Sequence, residues 1–577
     1  MAESNNGGDK LFIEHPRLIK HGSRWELLVD GRPYLILGGE LQNSSMSSAR
    51  YMDTVWENIA KLGVNTVLGP VSWEDVEPEE GRFDFTELDA VLASARAHGF
   101  RIVLIWFGSF KNGMSSYTPS WVKTNPQRFP RMETRNSEGD LEISSVISIL
   151  HDECVQADAK AFARLMQHLK TTDIERTVIM VQVENEVGLL GDSRDRSQKA
   201  EHVFGSPVPK ALLEFLRNAW PSLRPELKSK LSKFERSTDN FIHDISDTRA
   251  WKDTFGESIY TDEIFMAYHY TLYVEKVTAA GRQAYDIPLF TNVWLPKPGS
   301  TSSNDGIVSG GGKPGEYPSG GAVSRVLDIW HAFAPTLDFI SPDIYIPDYS
   351  GICSVYCHGG QALFIPEQHR DEYDARRIWE ALGRFGAIGA SPFGIDTLDV
   401  ETAGLRAHYE LLNSVSSHIM KARLEPDSIT GFFFDEIDAN GTDPTPPLIR
   451  TLGSYELRIS RASVFGQKGP GCGIVIALDQ DRFLLIGAGY NIEFKSRVPS
   501  SIFTGILRFD EKSVVDEMGT LRTERRFNGD ETRSGKWVNM PNKNPDLGGW
   551  IPISIPARTM IAEVVVYTLT EENLGSR

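Results

Sequence analysis

Cysteine is scarce in this chain of 577 residues, and its scarcity excludes one class of protein. Cys154, Cys353, Cys357 and Cys472 are too few and too scattered for the disulfide framework of a small secreted domain. The stretch "CSVYCH" has the ligand types of a zinc site, but no second cluster of cysteine and histidine completes four ligands. We therefore expect free thiols or a single local disulfide, and no bound metal.

Long apolar runs and targeting signals are also missing. No run approaches the ~20 apolar residues that span a bilayer, and the first residues, "MAESNNGGDK", lack the charged-then-apolar pattern of a secretory signal. Neither HxH nor HExxH occurs, which disfavours a metal-dependent hydrolase. We expect a cytoplasmic protein.

Basic residues are outnumbered, since 60 Lys and Arg stand against 78 Asp and Glu and give a formal net charge of −18. A nucleic acid or an anionic membrane binds clustered Lys and Arg, so this balance argues against both partners. A neutral or cationic partner suits the charge better, although acidity also serves simply to keep a protein soluble. Hydrophobic residues at 40% and charged residues at 24% are ordinary for a globular protein, and the length predicts two or more domains.

What the chain does have is an alternation of continuously apolar runs with amphipathic segments, the rhythm of a parallel sheet covered on both faces. The predicted strands are "RPYLILGG" (32–39), "VNTVLGP" (64–70), "FRIVLIWFG" (100–108), "RTVIMVQVE" (176–184), "IPLFTNVW" (287–294), "LDFISPDIY" (337–345), "ALFIPE" (362–367) and "GAIGASPFG" (386–394). The helical pattern is present over 49–63, 85–99, 322–334, 374–386 and 405–424. Eight such units predict a (β/α)₈ barrel, whose active site lies at the C-terminal ends of the strands. A doubly wound open sheet is the alternative, disfavoured because no Gly-rich phosphate fingerprint follows the first strand.

Three further segments give the predicted domain organisation. Residues 190–283 are charged and helical in pattern, and we predict a helical insertion there, near the rim of a barrel that occupies 1–425. Residues 298–321 are rich in Gly, Ser and Pro and are predicted as a loop without packing of its own, able to act as a lid. Over 426–577, short β runs separated by Gly, Asp, Asn and Pro predict an all-β, sandwich-like domain.

Two acidic stretches end predicted strands on the same side of the barrel. "QVENEVG" (182–188) ends the fourth run and "LFIPEQHRDE" (363–372) ends the seventh. A carboxylate in a concave pocket is partly desolvated and feels other carboxylates, and both effects raise its pKa towards that of a general acid. Retaining cleavage of a glycosidic bond needs two carboxyl groups about 5–5.5 Å apart. Glu186 and Glu367 can meet at such a spacing although they are distant in the chain.

"QVENEVG" is close to the acid/base motif of glycoside hydrolase family 35, the β-galactosidases, within the clan of retaining barrel glycosidases. "WEDVEPEEGRFDF" (73–85) and "TPSWV" (118–122) resemble segments that follow strands two and three in that family. The resemblance implies that Glu186 is the acid/base with Asn185 beside it. It also implies that the nucleophile ends strand seven, which here is Glu367.

The sequence departs from that family in two places. "GGELQNS" (38–44) and "WFGSFKNG" (106–113) replace the family's motifs at the ends of strands one and three. This indicates a divergent subgroup with its own C-terminal β domain, and it leaves the exact sugar open.

Other acidic residues compete for the two catalytic roles. Side chains two apart on a strand share a face, so Glu184 competes with Glu186, and the Asn-Glu pairing favours Glu186. "FFFDEID" (432–438), with Glu436, rivals Glu367 if the strand count is wrong by one, but its place after the eighth helix favours the β domain. A carboxylate satisfied in a salt bridge is the alternative for each of them.

Further strand ends supply groups that can bind a sugar. The resemblance places Tyr345, at the end of the sixth run, where related barrels have a phenol that hydrogen-bonds the nucleophile. Three tryptophans can either stack on a pyranose or pack in the core: Trp73, Trp106 and Trp294. Five polar residues can either bind hydroxyl groups or be ordinary surface residues: Glu40, Gln42, Glu74, Lys111 and Asn112.

Together these features predict a retaining β-galactosidase that acts on small oligosaccharides and needs no metal or organic cofactor. A β-glucosidase or an exo-β-glucosaminidase is the close alternative, because the residues that read the orientation of one hydroxyl are not identified. A carbohydrate-binding relative without turnover is disfavoured by the presence of both glutamates. We expect neither a nucleic-acid nor a membrane partner, and the sequence leaves a homo-oligomer open.

Overall fold

The chain folds into a barrel of parallel strands followed by an all-β domain, as predicted. The computed structural model describes residues 14–234, 249–297, 310–437, 440, 443, 445–464, 467–527, 529–541 and 558–574. Eight strands within these ranges form the barrel: β1 Ile36–Glu40, β2 Thr66–Ser72, β3 Arg101–Lys111, β4 Val178–Asn185, β5 Leu289–Trp294, β6 Phe339–Asp343, β7 Ile365–Gln368 and β8 Gly389–Pro392. Hydrogen bonds link them in the order β6-β5-β4-β3-β2-β1-β8-β7, and a bridge between Ile344 and Gln368 joins β6 to β7. The ring is therefore closed.

The barrel strands are buried on both faces, which explains their continuously apolar sequences. Every residue of β2, β4 and β5 is buried. One face of each strand fills the barrel and the other packs under helices, so that neither face can be polar. Each of the eight predicted runs overlaps one of these strands.

Helices cover the outside of the barrel. They are Ala49–Met52, Trp56–Lys61, Trp73–Val76, Thr86–Ala97, Ser120–Lys123, Asp152–Thr172, Ile259–Ala284, Leu327–Phe333, Tyr349–Tyr356, Glu372–Gly383, Gly404–Ser414 and Ser416–Ala422, with 3-10 turns at Ser45–Ser47, His358–Gly360 and Ile395–Thr397. The segment predicted as one helix over 49–63 is two, because the Thr54 hydroxyl donates to the carbonyl of Tyr51 and competes with helical hydrogen bonding. None of the helices formed by described residues has the length and apolar character needed to cross a bilayer.

Short helices follow β4 on the way to the next barrel helix. They are Gln198–Phe204, Lys210–Asn218, Pro225–Lys230 and Trp251–Phe255, with a 3-10 turn at Trp220–Ser222. Residues 235–248 lie outside the described ranges. The helix Ile259–Ala284 lies almost wholly within the predicted insertion, but it packs along Asp152–Thr172 and belongs to the helix layer of the barrel.

The loop after β5 is packed where the structure describes it, contrary to the prediction for 298–321. Residues 298–309 lie outside the described ranges. Beyond them Ser319 forms a β bridge with Leu189, and the buried Tyr317 donates a hydrogen bond to Glu263. The Gly, Ser and Pro content concealed these contacts, because one buried aromatic ring is enough to anchor such a loop.

Two small antiparallel sheets accompany the barrel. The strands Arg17–His21, Arg24–Val29 and Arg32–Tyr34 precede β1, and the hairpin of Arg131–Arg135 with Leu141–Ile147 follows β3. Leu27 and Val29 join one apolar cluster with interior barrel residues such as Val103 and Phe290. The first sheet therefore closes the end of the barrel opposite to the C-terminal ends of its strands.

The C-terminal domain is a sandwich of two antiparallel sheets. One has the order Ile429–Phe434, Gly471–Ala477, Arg482–Ala488, Ile561–Thr570, Ser501–Val514, Leu521–Phe527, and the other has the order Leu448–Leu452, Tyr455–Arg461, Tyr490–Ser496, Trp537–Met540. Short elements complete it: Ser463–Val464, Gln467–Lys468, Gly529–Thr532 and Glu571–Leu574. Val475 packs between the two sheets, whereas its neighbours Ile474 and Ile476 pack with the barrel helices. The boundary near residue 425 stays a prediction.

Candidate functional site

Charged side chains from five strands converge at the C-terminal mouth of the barrel. They are Glu40 at the end of β1, Lys111 at the end of β3, Glu186 after β4, Asp343 at the end of β6 and Glu367 in β7. One carboxylate oxygen from each of Glu186, Asp343 and Glu367 lies within 4.8 Å of the other two. The barrel thus brings together two glutamates that are far apart in the chain.

Glu186 is fixed by the backbone turn that ends β4. Its φ of 48° is left-handed, its backbone N–H donates to Asn292 Oδ1 at 2.7 Å, and its carbonyl accepts from the N–H of Gly113 at 3.1 Å. Asn185 Nδ2 donates to Asn112 Oδ1 at 3.2 Å. The ends of β3, β4 and β5 therefore hold this side chain jointly.

Glu184 faces away from the mouth, which corrects the expectation that it shares a face with Glu186. Its carboxylate accepts from the backbone N–H of Phe110 at 2.7 Å and of Ser109 at 3.3 Å. Burial, followed by the charge of Asp158 on the helix Asp152–Thr172, raises the pKa of Glu184 well above its ordinary range. The φ of 61° at Glu184 breaks the alternation of the strand, so residues 184 and 186 point to different sides.

Glu367 is paired with the phenol predicted for it. The Tyr345 hydroxyl donates to Glu367 Oε1 at 2.6 Å, while Oε2 is buried and has no hydrogen-bond partner among the described residues. Tyr345 itself is held edge-on by the ring of His369, with centroids 4.7 Å apart. Burial and the charge of Glu367 raise the pKa of Tyr345 far above its ordinary range, so the phenol stays a donor.

The electrostatics of the cluster favour neutral carboxyl groups. Burial, followed by the charge of Glu367, raises the pKa of Glu186 to about 7, against the lowering effect of Lys111. The same two causes raise the pKa of Glu40 and of Asp343 well above their ordinary ranges. A carboxyl group that still holds its proton near neutral pH can act as a general acid.

Sequence reasoning missed Asp343. This side chain is 2% exposed, and its Oδ2 accepts from Asn292 Nδ2 at 2.7 Å. The sequence contained a usable pattern, because Asp343 is a carboxylate at the end of the apolar run "FISPD". Glu186 has the same pattern at the end of its own strand. Asn292 was missed as well, since a lone amide in a strand has no distinctive pattern.

Two of the three predicted tryptophans are not in the site. Trp106 is fully buried against Phe162 and donates from Nε1 to Asp158 Oδ1 at 2.9 Å. Trp73 is also fully buried and donates to Glu77 Oε2 at 2.8 Å. Both belong to the layer between strands and helices, where an indole finds apolar cover and one acceptor.

Trp294, the third tryptophan, shares the inward face of β5 with Asn292 because the two residues are two apart on the strand. It is 8% exposed, and its buried Nε1 has no acceptor among the described residues. This indole is therefore the tryptophan that remains available to a ligand at the mouth.

The predicted polar residues divide into two groups. Glu40 and Lys111 are buried beside Glu186 and Glu367. Glu74 instead forms an ion pair of 2.6 Å with Lys123, and Gln42 lies at the rim, where its backbone N–H donates to Asp396 at 3.2 Å. The short helix after β2 therefore directs Glu74 away from the carboxylates.

The rival acidic stretch 432–438 belongs to the β domain. Arg377 donates two hydrogen bonds of 2.8 Å to Asp435, and Arg376 donates to Glu436 at 2.6 Å. These ion pairs join the helix Glu372–Gly383 to the sandwich, far from the convergence of carboxylates; residue 438 lies outside the described ranges. Glu436 is therefore not a candidate nucleophile.

Three carboxylate oxygens within 4.8 Å of one another also have a spacing that suits a hard cation such as Mg²⁺ or Ca²⁺. Two of the carboxylates are instead oriented by neutral donors, since Tyr345 donates to Glu367 and Asn292 donates to Asp343. The expectation of a metal-free reaction stays a prediction. The four cysteines, all within the described ranges, are free thiols.

Comparisons with known proteins point to β-galactosidases. A family model described as "Beta-galactosidase", of glycoside hydrolase family 42, matches residues 45–238, and one described as "Domain of unknown function (DUF5597)" matches residues 405–539. A β-galactosidase of Xanthomonas manihotis is 35% identical over 78 residues, which are 13% of this chain and 13% of that protein. Beta-galactosidase-1-like protein 3 of Rattus norvegicus is 25% identical over 206 residues, 34% of this chain and 28% of that protein.

The chain thus spans 13% and 28% of the lengths of these two curated relatives. A solved structure, the β-galactosidase of Bacillus circulans sp. alkalophilus, has 14% identity and a TM-score of 0.43 and covers 67% of this chain and 57% of that one. The sequence similarity is therefore to β-galactosidases in general, and the matching model is of family 42 rather than the expected family 35.

Proposed function

We propose that the protein is a glycoside hydrolase that removes terminal β-D-galactosyl residues from small oligosaccharides with retention of configuration. The observation that carries the proposal is the approach of Glu186 and Glu367, whose carboxylate oxygens lie within 4.8 Å of each other at the barrel mouth. Retaining glycosidases place these groups about 5–5.5 Å apart, whereas inverting enzymes need about 6.5–9.5 Å to admit a water. The similarity to β-galactosidases supports the same reaction.

The geometry gives each glutamate a different role. Glu367, oriented by the Tyr345 hydroxyl, attacks the anomeric carbon. Glu186, whose pKa is raised to about 7, gives its proton to the departing oxygen. Glu186 then removes a proton from the water that attacks the anomeric carbon, and the bond from that carbon to Glu367 breaks. This releases Glu367 as a carboxylate and returns Glu186 to its protonated form.

The remaining polar groups fit the binding of a single sugar ring. Asn185 and Asn112 are linked at 3.2 Å beside Glu186, and Lys111 and Glu40 border the same space. Trp294 supplies an indole face and an N–H without a partner among the described residues. Membership of family 35 specifically and action in the cytoplasm are further parts of the proposal, and the oligomeric state stays open.

Two experiments separate this function from its alternatives. A panel of nitrophenyl β-glycosides distinguishes a galactosidase from a glucosidase or a glucosaminidase, and absence of turnover on every member would favour a non-catalytic carbohydrate-binding protein. Dialysis against EDTA should leave activity unchanged, since the proposed steps use no metal. A loss that Mg²⁺ or Ca²⁺ restores would indicate a metal-dependent hydrolase.

The roles of the two glutamates are tested by substitution. Glu186→Gln should reduce kcat/KM by roughly 10²–10⁴-fold, more for lactose than for a dinitrophenyl galactoside, because a good leaving group needs little protonation. Glu367→Gln should abolish turnover of both substrates. The matched control is Glu74→Gln, whose carboxylate pairs with Lys123 outside the cluster and whose loss should leave kcat/KM within about twofold. Near-normal turnover of lactose by Glu186→Gln, or of either substrate by Glu367→Gln, would refute that residue's role.

Azide distinguishes the two roles from each other. With Glu186→Ala, azide should trap the glycosyl-enzyme as the β-galactosyl azide, because the nucleophile is still present. With Glu367→Ala, azide should take the place of the missing carboxylate and yield the α-galactosyl azide. The opposite pattern would exchange the two assignments.

A further inference from the structure

A third carboxyl group lies beside the proposed catalytic pair, and the reaction described above does not use it. Asp343 is 2% exposed, and one of its oxygens lies within 4.8 Å of a carboxylate oxygen of Glu186 and of Glu367. Its Oδ2 accepts from Asn292, but its Oδ1 is buried without a hydrogen-bond donor among the described residues. A proton on one of the two groups would satisfy this buried oxygen and relieve the repulsion between the neighbouring carboxylates.

Once Glu186 has given up its proton the pair holds only one, and the surrounding charges decide which group carries it. The ionisable groups that face the pair are Glu40 from β1, Lys111 from β3, Tyr345 from β6 and Glu367 from β7. Lys111 favours the ionised form of Glu186 and of Glu40. Asp343 is next to Glu186, Glu367 and Glu40, all of which oppose its ionisation.

Asn292 ties Asp343 to the acid/base residue through a second route. Its Nδ2 donates to Asp343 at 2.7 Å, and its Oδ1 accepts from the backbone N–H of Glu186 at 2.7 Å. Such an arrangement leaves the carbonyl oxygen of Asp343 facing Asn292 and its hydroxyl free to face Glu186. A displacement of Asp343 would therefore be transmitted to the backbone of Glu186.

We propose that Asp343 is a positioning residue that remains protonated throughout the reaction and donates a hydrogen bond from its hydroxyl to the Glu186 carboxylate. The inference rests on the proposed glycosidase function. Glu186 loses its proton to the departing oxygen and regains one from water, while the proton of Asp343 is never transferred. The hydrogen bond stabilises the carboxylate form of Glu186 that exists between these two steps.

Two variants of Asp343 test this through the pH profile of kcat/KM. Asp343→Asn replaces a neutral hydroxyl donor by a neutral amide donor, so the basic limb should stay within about half a pH unit and kcat/KM within about tenfold. Asp343→Leu removes the donor, so the basic limb should move to higher pH by about one unit. A purely structural role would lower activity without moving the limb.

The result that overturns the proposal is a basic limb that moves down by a unit or more in Asp343→Asn, because only loss of an ionised neighbour does that. Infrared spectra provide a test that needs no turnover. Protein labelled with ¹³C at aspartate side chains should show, at pH 8, a protonated-acid carbonyl band that disappears in Asp343→Asn, or in Asp343→Ser if the first variant does not fold. Absence of this band also overturns the proposal.

The proposed function and this inference can be refuted independently of each other. If the wild-type protein turns over no glycoside, the function is wrong, yet the infrared band still reports on Asp343. If the wild-type protein is active and Glu186→Gln is not, the function stands, and the Asp343 variants alone decide the inference.

Discussion

The surroundings of Glu186 shift the pKa of its carboxyl group in opposite directions. Burial and the charge of Glu367 raise its pKa to about 7, while Lys111 lowers it. A general acid must be protonated before it acts, so glycosylation should slow as the pH rises through about 7. We therefore expect the balance between one cation and several carboxyl groups to set the upper pH limit of the proposed activity.

Replacing Lys111 by Met tests this balance. The pKa of Glu186 should rise when the cation that lowers it is removed, so the basic limb of kcat/KM should move to higher pH by roughly half a unit to one unit. pH profiles of the two proteins measure the shift. Lys123→Met is the control, because that cation pairs with Glu74 outside the cluster. A limb that stays in place or moves down in the Lys111 variant would contradict the prediction.

Replacing Glu186 by Gln should also stabilise the fold at high pH. The folded state raises the pKa of this carboxyl to about 7, so ionisation disfavours the folded state increasingly between pH ~4.5 and pH ~7. Gln cannot ionise. The variant should gain on the order of 1–3 kcal/mol in free energy of unfolding near pH 8 and almost nothing near pH 4, as measured by denaturant unfolding. An equal gain at both pH values would show that charge is not the cause.

The turn that ends β4 is the element on which the site depends most. Left-handed residues at 184 and 186 are followed by Gly188, with a φ of 139°. A Cβ at Gly188 would lie 2.5 Å from the backbone of Pro318 in the loop after β5. Close packing of these two loops therefore fixes the direction of the Glu186 side chain.

Substitution of Gly188 by Ala should displace this turn. A shift of about 1 Å at a catalytic group can cost roughly 10²-fold in rate, so kcat/KM should fall by that order while thermal stability also falls. Gly191→Ala is the matched control, since its φ of 88° is also left-handed but nothing lies within 4 Å of the added Cβ. It should lose stability and keep activity. Equal losses of activity in the two variants would exclude the contact with Pro318 as the cause.

The barrel strands were predictable from sequence, because burial on both faces leaves a continuous apolar run such as that of β4. The convergence of Glu186 and Glu367 followed from the rule that strand ends meet at one mouth. Local backbone geometry was not predictable, since nothing in "QVENEVG" shows that Glu184 turns away. Whether Trp106 stacks on a sugar or packs in the core was not predictable for a similar reason, because an apolar run does not reveal which face of the strand points to the helices.

At the scale of the whole molecule, one sheet of the sandwich packs directly against a helix of the barrel. The sheet that contains Ile429–Phe434 packs one face on the second sheet of the sandwich and the other on the helix Glu372–Gly383. Gly431 lies directly on this helix, where a Cβ would overlap the carbonyl oxygen of Trp379. Arg376 and Arg377, both nearly fully buried, add ion pairs across the same contact.

The packing of this sandwich sheet on the barrel helix predicts that the molecule unfolds as one unit. Differential scanning calorimetry of the wild-type protein should show a single transition, because unfolding either part alone would expose the apolar face of the sheet. Gly431→Ala should force the sheet away from the helix and either split the transition or lower its midpoint. Gly453→Ala, in the same domain and with nothing within 4 Å of the added Cβ, should leave a single transition. Two separate transitions in the wild-type protein would show that the barrel and the sandwich are thermodynamically independent despite the contact between them.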